Sequence, residues 1–425
     1  MSIKPGSIIE ATIERIGTQG DGVTSFEGLS LIVPKTTAGD KISCEVKYST
    51  KDRIHADLIE ILEPGNNRII PPCQYYKSCG GCGLQHISAA EYKNYKLELL
   101  TKSLKYSSIS LPDLVAWFSV GEASRRRAFV RFDKSGKLGF YEHQSHNVID
   151  INKCLILEPA LEVLLLPLKE LSGKLDINIE GWMITNTDSG LDITLQSEDD
   201  RKLKNESAVL GLLQNFAKSN KIIRLSWKRG NKITPVITIT KPFLKIGGRE
   251  IILPQEYFIQ ASKTGAEAIL NAVIPAVDRG AKVLDLFSGV GVYSFALADI
   301  AGHISAYEIA PEMIKSMQVN IASNNLKDKI SAHCRDIDKL PLSRAELSKY
   351  DTAIINPPRT GALKQVATLA LAGIAKIIMV SCNSQTFTRD AKILHENGYK
   401  LKSLSAIDQF YYSHHLEQVG VFGRV

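Results

Sequence analysis

Apolar positions change their spacing along the chain and divide it into three stretches. Over residues 1–62 they fall in short strand-like runs, Ser7–Ile16, Leu29–Pro34, Lys41–Tyr48 and Ala56–Leu62. Turn clusters such as Gly17-Thr-Gln-Gly20-Asp-Gly22 and Ala38-Gly39-Asp40 part them. Short strands at this interval predict a small barrel of OB type, closed off by Pro64-Gly65-Asn66-Asn67. Residues 91–106 change to helical spacing, with Tyr92, Tyr95, Leu99 and Leu100 among Lys93, Lys96 and Lys102. Residues 115–250 read as mixed α+β. Their strands are Arg127–Phe132, Leu138–Glu142, Met183–Asn186, Leu191–Gln196, Ile222–Trp227 and Thr234–Ile239, with one helix at Glu158–Leu171.

From Tyr257 onward, buried strands alternate with helices. The strands are Lys282–Phe287, His303–Glu308, Lys329–Cys334, Thr352–Asn356, Lys376–Ser381, Lys400–Ile407 and Leu416–Arg424. Helices Tyr293–Asp299, Pro311–Asn324, Leu363–Ala372 and Gln385–Asn397 fill the gaps. Such alternation predicts an α/β, doubly wound, Rossmann-like sheet of seven strands. Asp408–His415 is too short for a crossover helix, so the last strand should run antiparallel.

Composition narrows the class. The chain has 425 residues, 44% hydrophobic and 23% charged, as a globular protein does. No apolar run nears the roughly 18 residues of a membrane span. Met1-Ser-Ile-Lys-Pro-Gly lacks the apolar core of a signal peptide, so a cytoplasmic protein is expected. A net charge of +7 suits a polyanionic partner without establishing one. Seven cysteines, an odd number, argue against a disulfide framework. Cys44, Cys334 and Cys382 stand alone, whereas Cys73, Cys79 and Cys82 cluster, with Cys154 downstream. Four thiols fit tetrahedral zinc, an iron–sulfur cluster, or no metal at all.

The strand that ends at Phe287 runs into Ser288-Gly289-Val-Gly291 and then a helix. Glycines there let backbone approach a ligand at a helix N-terminus. Asp285 precedes the turn, and Glu308 ends the next strand, where a carboxylate suits ribose hydroxyls. Ser294 stands where a dinucleotide fingerprint needs its third glycine, so a nicotinamide cofactor fits less well. With Asp336 after the third strand, the pattern is similar to the S-adenosylmethionine (SAM) sites of class I methyltransferases.

Cys382 follows the apolar run Ile377–Val380 and is therefore delivered to the carboxyl edge of the sheet, where such folds bind ligands. Asn356-Pro-Pro-Arg359 ends the fourth strand at the same edge, and Arg359 suits a phosphate or an acid. Glu417 starts the last strand. A thiol, a carboxylate and a methyl donor suit one reaction in particular. Uracil C5 is a poor nucleophile until a thiolate adds at C6, and a base must then remove the C5 proton. Ser124-Arg-Arg-Arg127-Ala-Phe-Val-Arg131 mixes cations and rings, as single-stranded RNA sites do, with Arg125, Arg127 and Phe129 on one strand face.

Cys-x5-Cys-Gly-Gly-Cys, Phe258-Ile-Gln260, Asp285-Leu-Phe-Ser-Gly-Val-Gly, Asn356-Pro-Pro-Arg, Ser381-Cys-Asn and His415-Leu-Glu417 occur in that order. Together they resemble the RNA uracil-C5 methyltransferase family over essentially the whole chain. The resemblance implies a TRAM barrel at 1–62, a cluster-binding and RNA-recognition region at 63–250, and a class I SAM-methyltransferase domain at 251–425. It implies Cys382 as nucleophile and Glu417 as base. Gln260, Phe287, Gly289, Gly291, Val292, Glu308, Asp336 and Asn356 would line the SAM and target-base sites. Cys73, Cys79, Cys82 and Cys154 would hold a 4Fe–4S cluster. The expected partner is RNA, ribosomal in preference to transfer RNA, met by a monomer with no membrane. Rival readings are a cytosine-C5 methyltransferase and a non-catalytic RNA-binding relative. Three positions depart from the family pattern: Asn356 replaces its usual Asp, Ser384 a proline, and Ser262 an Asn. An Asn amide can accept from uracil N3–H and donate to O4.

Overall fold

The computed structural model describes residues 4–112, 115–198 and 205–424. Met1–Ile3, part of the segment read above for a leader, and Val425, the end of the third region, lie outside the described residues. The chain divides into two compact units. One comprises residues 1–102, 141–147 and 410–415, and the other the remainder.

The first unit is built on a six-stranded sheet. Its strands are β1 (Ile8–Thr12), β2 (Arg15–Ile16), β3 (Gly22–Phe26), β4 (Leu29–Val33), β5 (Lys41–Ser49) and β6 (Arg53–Glu63), in the order β1-β5-β6-β4-β3-β2. Alternate residues Leu31 and Val33, Ile42, Cys44 and Val46, and Ile54 and Ala56 form its core. The predicted strand Ser7–Ile16 is broken, because the Ile13 amide donates to the Asp40 carbonyl at 2.8 Å and the chain passes from β5 to β3 as its partner. Asp40 is fully buried and accepts from the Thr37 amide (2.7 Å), the Gly65 amide (2.9 Å) and Arg68 Nη1 (2.6 Å). This one carboxylate fixes the turn that ends the sheet. Helix α1 (Ala89–Tyr106) leads out of the unit. Lys96, expected among its polar positions, is buried, and its ammonium donates to the carbonyls of His415 (2.7 Å) and Phe410 (3.4 Å).

The second unit opens with β7 (Val115–Ser119). A mixed seven-stranded sheet follows: β8 (Arg127–Phe132), β9 (Leu138–Tyr141), β10 (Val148–Asp150), β11 (Ile179–Thr187), β12 (Gly190–Ser197), β13 (Ile222–Arg229) and β14 (Lys232–Thr238). The helix expected at Glu158–Leu171 is two, α2 (Pro159–Glu162) and α3 (Leu165–Ser172). α4 (Glu206–Ser219) was not expected; it buries Val209, Leu213 and Ala217. Hairpin β15 (Phe243–Ile246) and β16 (Arg249–Ile252) leads to α5 (Lys263–Val273).

The C-terminal sheet then forms in the predicted alternation: β17 (Lys282–Leu286), α6 (Val292–Leu297), β18 (His303–Glu308), α7 (Pro311–Ser323), β19 (Ile330–Cys334), α8 (Arg344–Leu347), β20 (Thr352–Ile355), α9 (Leu363–Ala372), β21 (Lys376–Ser381), α10 (Ser384–Glu396), β22 (Tyr399–Asp408) and β23 (Glu417–Arg424). The strand order is β19-β18-β17-β20-β21-β23-β22-β7. β23 runs antiparallel between β21 and β22, as expected. The sheet has eight strands, not seven, because β7 adds in parallel to β22 with Val115 opposite Leu404. The winding direction reverses at β17, between β18 and β20, which opens a crevice at the strands' carboxyl ends. Among the described residues no helix is long and apolar enough to cross a membrane.

Candidate active site

β17 is buried from Val283 to Leu286, and its sequel leaves extended backbone at once. Phe287 (φ 61°), Gly289 (φ 57°) and Gly291 (φ 86°) are all left-handed. For a phenylalanine that conformation is strained, and such strain clusters at functional sites. The two glycines serve different ends. A Cβ on Gly291 would lie 2.6 Å from Met317 Cε in α7, so packing excludes a side chain there. A Cβ on Gly289 would meet open space, so that position is left clear for a ligand. Val292 begins α6.

Two carboxylates frame this loop. Glu308 Oε2 accepts from the Gly289 amide (3.0 Å), and its Oε1 from the amides of Ile309 (2.9 Å) and Ala310 (3.0 Å). These bonds staple the glycine turn to the end of β18. Asp285 is fully buried, and its Oδ2 accepts from the amide and hydroxyl of Ser294 at 3.1 and 2.6 Å. Burial pushes the Asp285 carboxyl up to about 7, against the two Ser294 hydrogen bonds. Asp285 Oδ1 and Ser288 Oγ are buried with no partner among the described residues. Two orphaned polar atoms beside an open glycine suit a small ligand that carries hydrogen-bond donors and hydroxyls. Asp336 sits apart from this network. It follows β19, and its carboxylate is taken up by Lys339, through the amide at 3.0 Å and the ammonium at 3.2 Å.

The candidate thiol and carboxyl belong to neighbouring strands, Cys382 just past the end of β21 and Glu417 at the start of β23. Ile378 and Val380 of β21 and Val419 and Val421 of β23 share one core cluster. Cys382 continues the first series and Glu417 precedes the second, so strand alternation sets both on that face. Ser381 opposite Gln418 brings them to the same end. Glu417 is 3% exposed, and burial raises its carboxyl to about 7. Burial also raises the Cys382 thiol, with a further contribution from Glu417, while the Arg359 guanidinium lowers it by charge and hydrogen bond. The arginine read as an anion site is thus turned to the thiol. Asn383 Nδ2 (3.1 Å) and Thr386 Oγ1 (3.3 Å) both donate to the Arg359 carbonyl, which ties the two loops together.

Asn356 ends β20, and its Nδ2 donates to the Tyr293 hydroxyl at 3.2 Å. That bond turns one N–H toward Tyr293 and leaves the amide oxygen as an acceptor. Gln260 is joined to Glu417 through Gln409, whose Nε2 donates to Gln260 Oε1 (2.6 Å) and Glu417 Oε2 (2.7 Å). The structure thus links Gln260 with Glu417, Glu417 with Cys382, Gly289 with Glu308, and Asn356 with Tyr293.

Sequence reading missed Tyr293, Gln409 and Arg126. Arg126 is 5% exposed, and its Nε donates to the Gln260 carbonyl at 3.1 Å. Its neighbour Arg127 packs on the Tyr257 ring with its guanidinium 5.0 Å from the centroid, and Arg131 lies 4.4 Å above Phe129. The arginine run is therefore built into the fold more than an open RNA face would be, because Tyr257 and the Gln260 segment cover it. One signal was available for Gln409: Asp408-Gln409 opens the short segment that leads to Glu417.

Among the described residues no disulfide joins any of the cysteines. Cys73, Cys79 and Cys82 lie on one loop of the first unit, where the Gly81 amide donates to Cys79 Sγ at 3.4 Å. Burial raises the Cys79 thiol, and Cys73 adds to the effect. Cys154 follows β10 in the second unit. Among the described residues no three His, Cys, Asp or Glu side chains are gathered to hold a metal. The thiols suit a cluster by type and spacing.

Residues 198–424 match the family model described as tRNA (uracil-5-)-methyltransferase. An uncharacterized RNA methyltransferase of Caulobacter vibrioides is 32% identical over 98% of this chain and 100% of its own. The 23S rRNA (uracil(1939)-C(5))-methyltransferase RlmD of Shewanella amazonensis is 29% identical, over 97% of this chain and 95% of its own. Among solved structures, the Pyrococcus abyssi tRNA (uracil-54, C5)-methyltransferase in complex with S-adenosyl-L-homocysteine shares the fold. Its TM-score is 0.74, at 21% identity over 97% of this chain and 100% of that one.

Proposed function

The chain belongs to the tRNA (uracil-5-)-methyltransferase family of RNA methyltransferases, and on that footing we propose that it methylates C5 of a uridine in ribosomal RNA through a covalent adduct on Cys382. The observation that carries this reading is the pairing of a buried carboxyl, Glu417, with a thiol that feels its charge, at the carboxyl edge of the sheet. Similarity to the 23S rRNA enzyme supports the ribosomal substrate.

Phe287, Gly289, Gly291, Val292 and Glu308 would hold SAM, and the open space over Gly289 and the unpartnered Asp285 Oδ1 fit it. SAM supplies an electrophilic methyl group. The Cys382 thiolate adds to C6 of the uracil, and the electron pair of the C5–C6 double bond passes toward C5 and O4. Arg359 favours the thiolate that begins this step. Once C5 carries the methyl group, Glu417 takes the C5 proton. The C–H pair then re-forms the double bond, and the sulfur leaves as thiolate. Asn356 presents its amide oxygen to uracil N3–H. Cytosine lacks that hydrogen, so the reading favours uracil. The target base is extruded from any stack to reach the site. The regions 1–62 and 63–250 serve RNA recognition and 251–425 the chemistry. By residue type and spacing, Cys73, Cys79, Cys82 and Cys154 would hold a 4Fe–4S cluster, which the methyl transfer would not need.

The test uses ribosomal and transfer RNA from cells that lack the gene, with labelled SAM. Wild-type protein should place 5-methyluridine in ribosomal RNA. Cys382→Ala should give neither product nor adduct. Glu417→Gln should accumulate a methylated protein–RNA adduct that survives denaturing gels. Product in transfer RNA alone would move the substrate, and methylation by Cys382→Ala would overturn the covalent route.

A further inference from the structure

We infer that Gln409 is the positioning residue of the base: its amide holds the Glu417 carboxylate ready to take a proton and, through the same nitrogen, decides which end of the Gln260 amide faces the substrate. The inference rests on the covalent route proposed above.

Gln409 is 3% exposed and directly follows β22. Its Nε2 stands 2.7 Å from Glu417 Oε2 and 2.6 Å from Gln260 Oε1. Among the described residues no other side chain donates to Glu417. An ionised carboxylate only accepts, so it dictates that Gln409 turn its nitrogen inward. An amide nitrogen has two hydrogens. The second goes to Gln260 Oε1, which leaves the Gln260 amino group as the end free to donate. The charge at Glu417 thus sets the polarity of two glutamines in series.

The arrangement has a cost that points the same way. Gln409 Oε1 is buried with no partner among the described residues. Reversal of the amide would set that oxygen against the carboxylate, which is worse. Gly265, in the first turn of α5, makes room for the side chain: a Cβ there would come 2.7 Å from Gln409 Cβ and 3.4 Å from Oε1. Other charged or titratable groups near Glu417 are Cys382 beyond β21 and Tyr293 on α6. The charge of Asp285 also reaches Tyr293, and Arg359 hydrogen-bonds to the thiol. Gln409 is the group that opposes the burial of the Glu417 charge by a hydrogen bond.

The test reads decay of the methylated adduct by rapid quench across pH 5–9. Within the adduct Cys382 is a thioether and no longer titrates, so the pH dependence of decay reports the base alone. In wild-type protein, decay should rise through a pH near 7 and level off. Gln409→Met keeps the length of the side chain and removes its donors. Its limb should move up by about one pH unit, with decay roughly tenfold slower below the limb. At high pH, where Glu417 is ionised in both proteins, the two rates should converge. Gln409→Asn withdraws the amide by one methylene and should shift the limb in the same direction, which covers a failure of the methionine variant to fold. A slowing by one factor at every pH, as loss of packing would give, overturns the inference, and so does an unmoved limb. Failure of the proposed reaction is seen separately, as absence of adduct and product with wild-type protein.

Discussion

A carboxyl group buried in a dry site is costly to ionise, and Glu417 is such a group. Burial lifts this group from the usual glutamate value of 4.5 to about 7. Between those two pH values the folded chain keeps a proton that the unfolded chain has lost. Rising pH therefore takes stability from the folded state across that window. Glu417→Gln removes the effect. The melting temperature of the variant should gain on wild type by about 1–3 °C between pH 5 and pH 8, as thermal melts at matched ionic strength would reveal. A difference that stays flat with pH would contradict the buried charge. In the proposed reaction Cys382 has the opposite need, since there only a thiolate would add to the ring. Burial and Glu417 hold the thiol up, and Arg359 brings it down. Arg359→Gln should slow alkylation of Cys382 by iodoacetamide at pH 8 roughly three- to tenfold, followed by peptide mass. An unchanged rate would detach Arg359 from the thiol.

At the scale of elements, the turn from β17 to α6 sets an open glycine, Gly289, two residues before a packed one, Gly291. Gly289→Ala adds a methyl group into open space, at about 1 kcal/mol for the left-handed backbone. It should leave the melting temperature nearly unchanged yet weaken S-adenosylhomocysteine binding about tenfold or more, by calorimetry. Gly291→Ala meets Met317 Cε and adds about 1–3 kcal/mol of overpacking to the strain. It should lower the melting temperature, and Met317→Ala in the same chain should recover part of the loss, because the clash is with the end of a flexible side chain. Equal behaviour of the two alanine variants would contradict this division. The glycine turn was readable in the sequence because its cause is local: a strand, two glycines and a helix in series. β7 was not. Val115–Ser119 is a short run whose partner, β22, lies far along the chain, and nothing near it announces the pairing.

At the scale of the whole molecule, a net charge of +7 is modest for an RNA partner, and the arginine run that seemed to supply the contact is partly spent inside. Arg126→Ala should therefore lower stability and activity together, while the salt dependence of RNA binding stays close to wild type in filter-binding titrations. A lower salt slope would return Arg126 to the RNA surface. Anaerobically purified protein should carry about four irons per chain and lose them in Cys79→Ala; stoichiometric zinc without iron would replace the cluster reading. The sequence by itself determined the doubly wound sheet, its antiparallel last strand, the glycine turn with Asp285 and Glu308, and the delivery of Cys382 and Glu417 to one edge. Each of these follows from backbone periodicity or from which residue types end a strand, and such causes act over a few positions. Only the tertiary structure decided that Lys96 and Arg126 are buried, that Arg359 turns to the thiol, that Asp336 is occupied by Lys339, and that Gln409 joins Gln260 to Glu417. These are the fates of polar side chains whose partners lie elsewhere in the sequence. The energy of a buried polar group depends on whether a partner meets it, and that meeting exists only once the chain has packed.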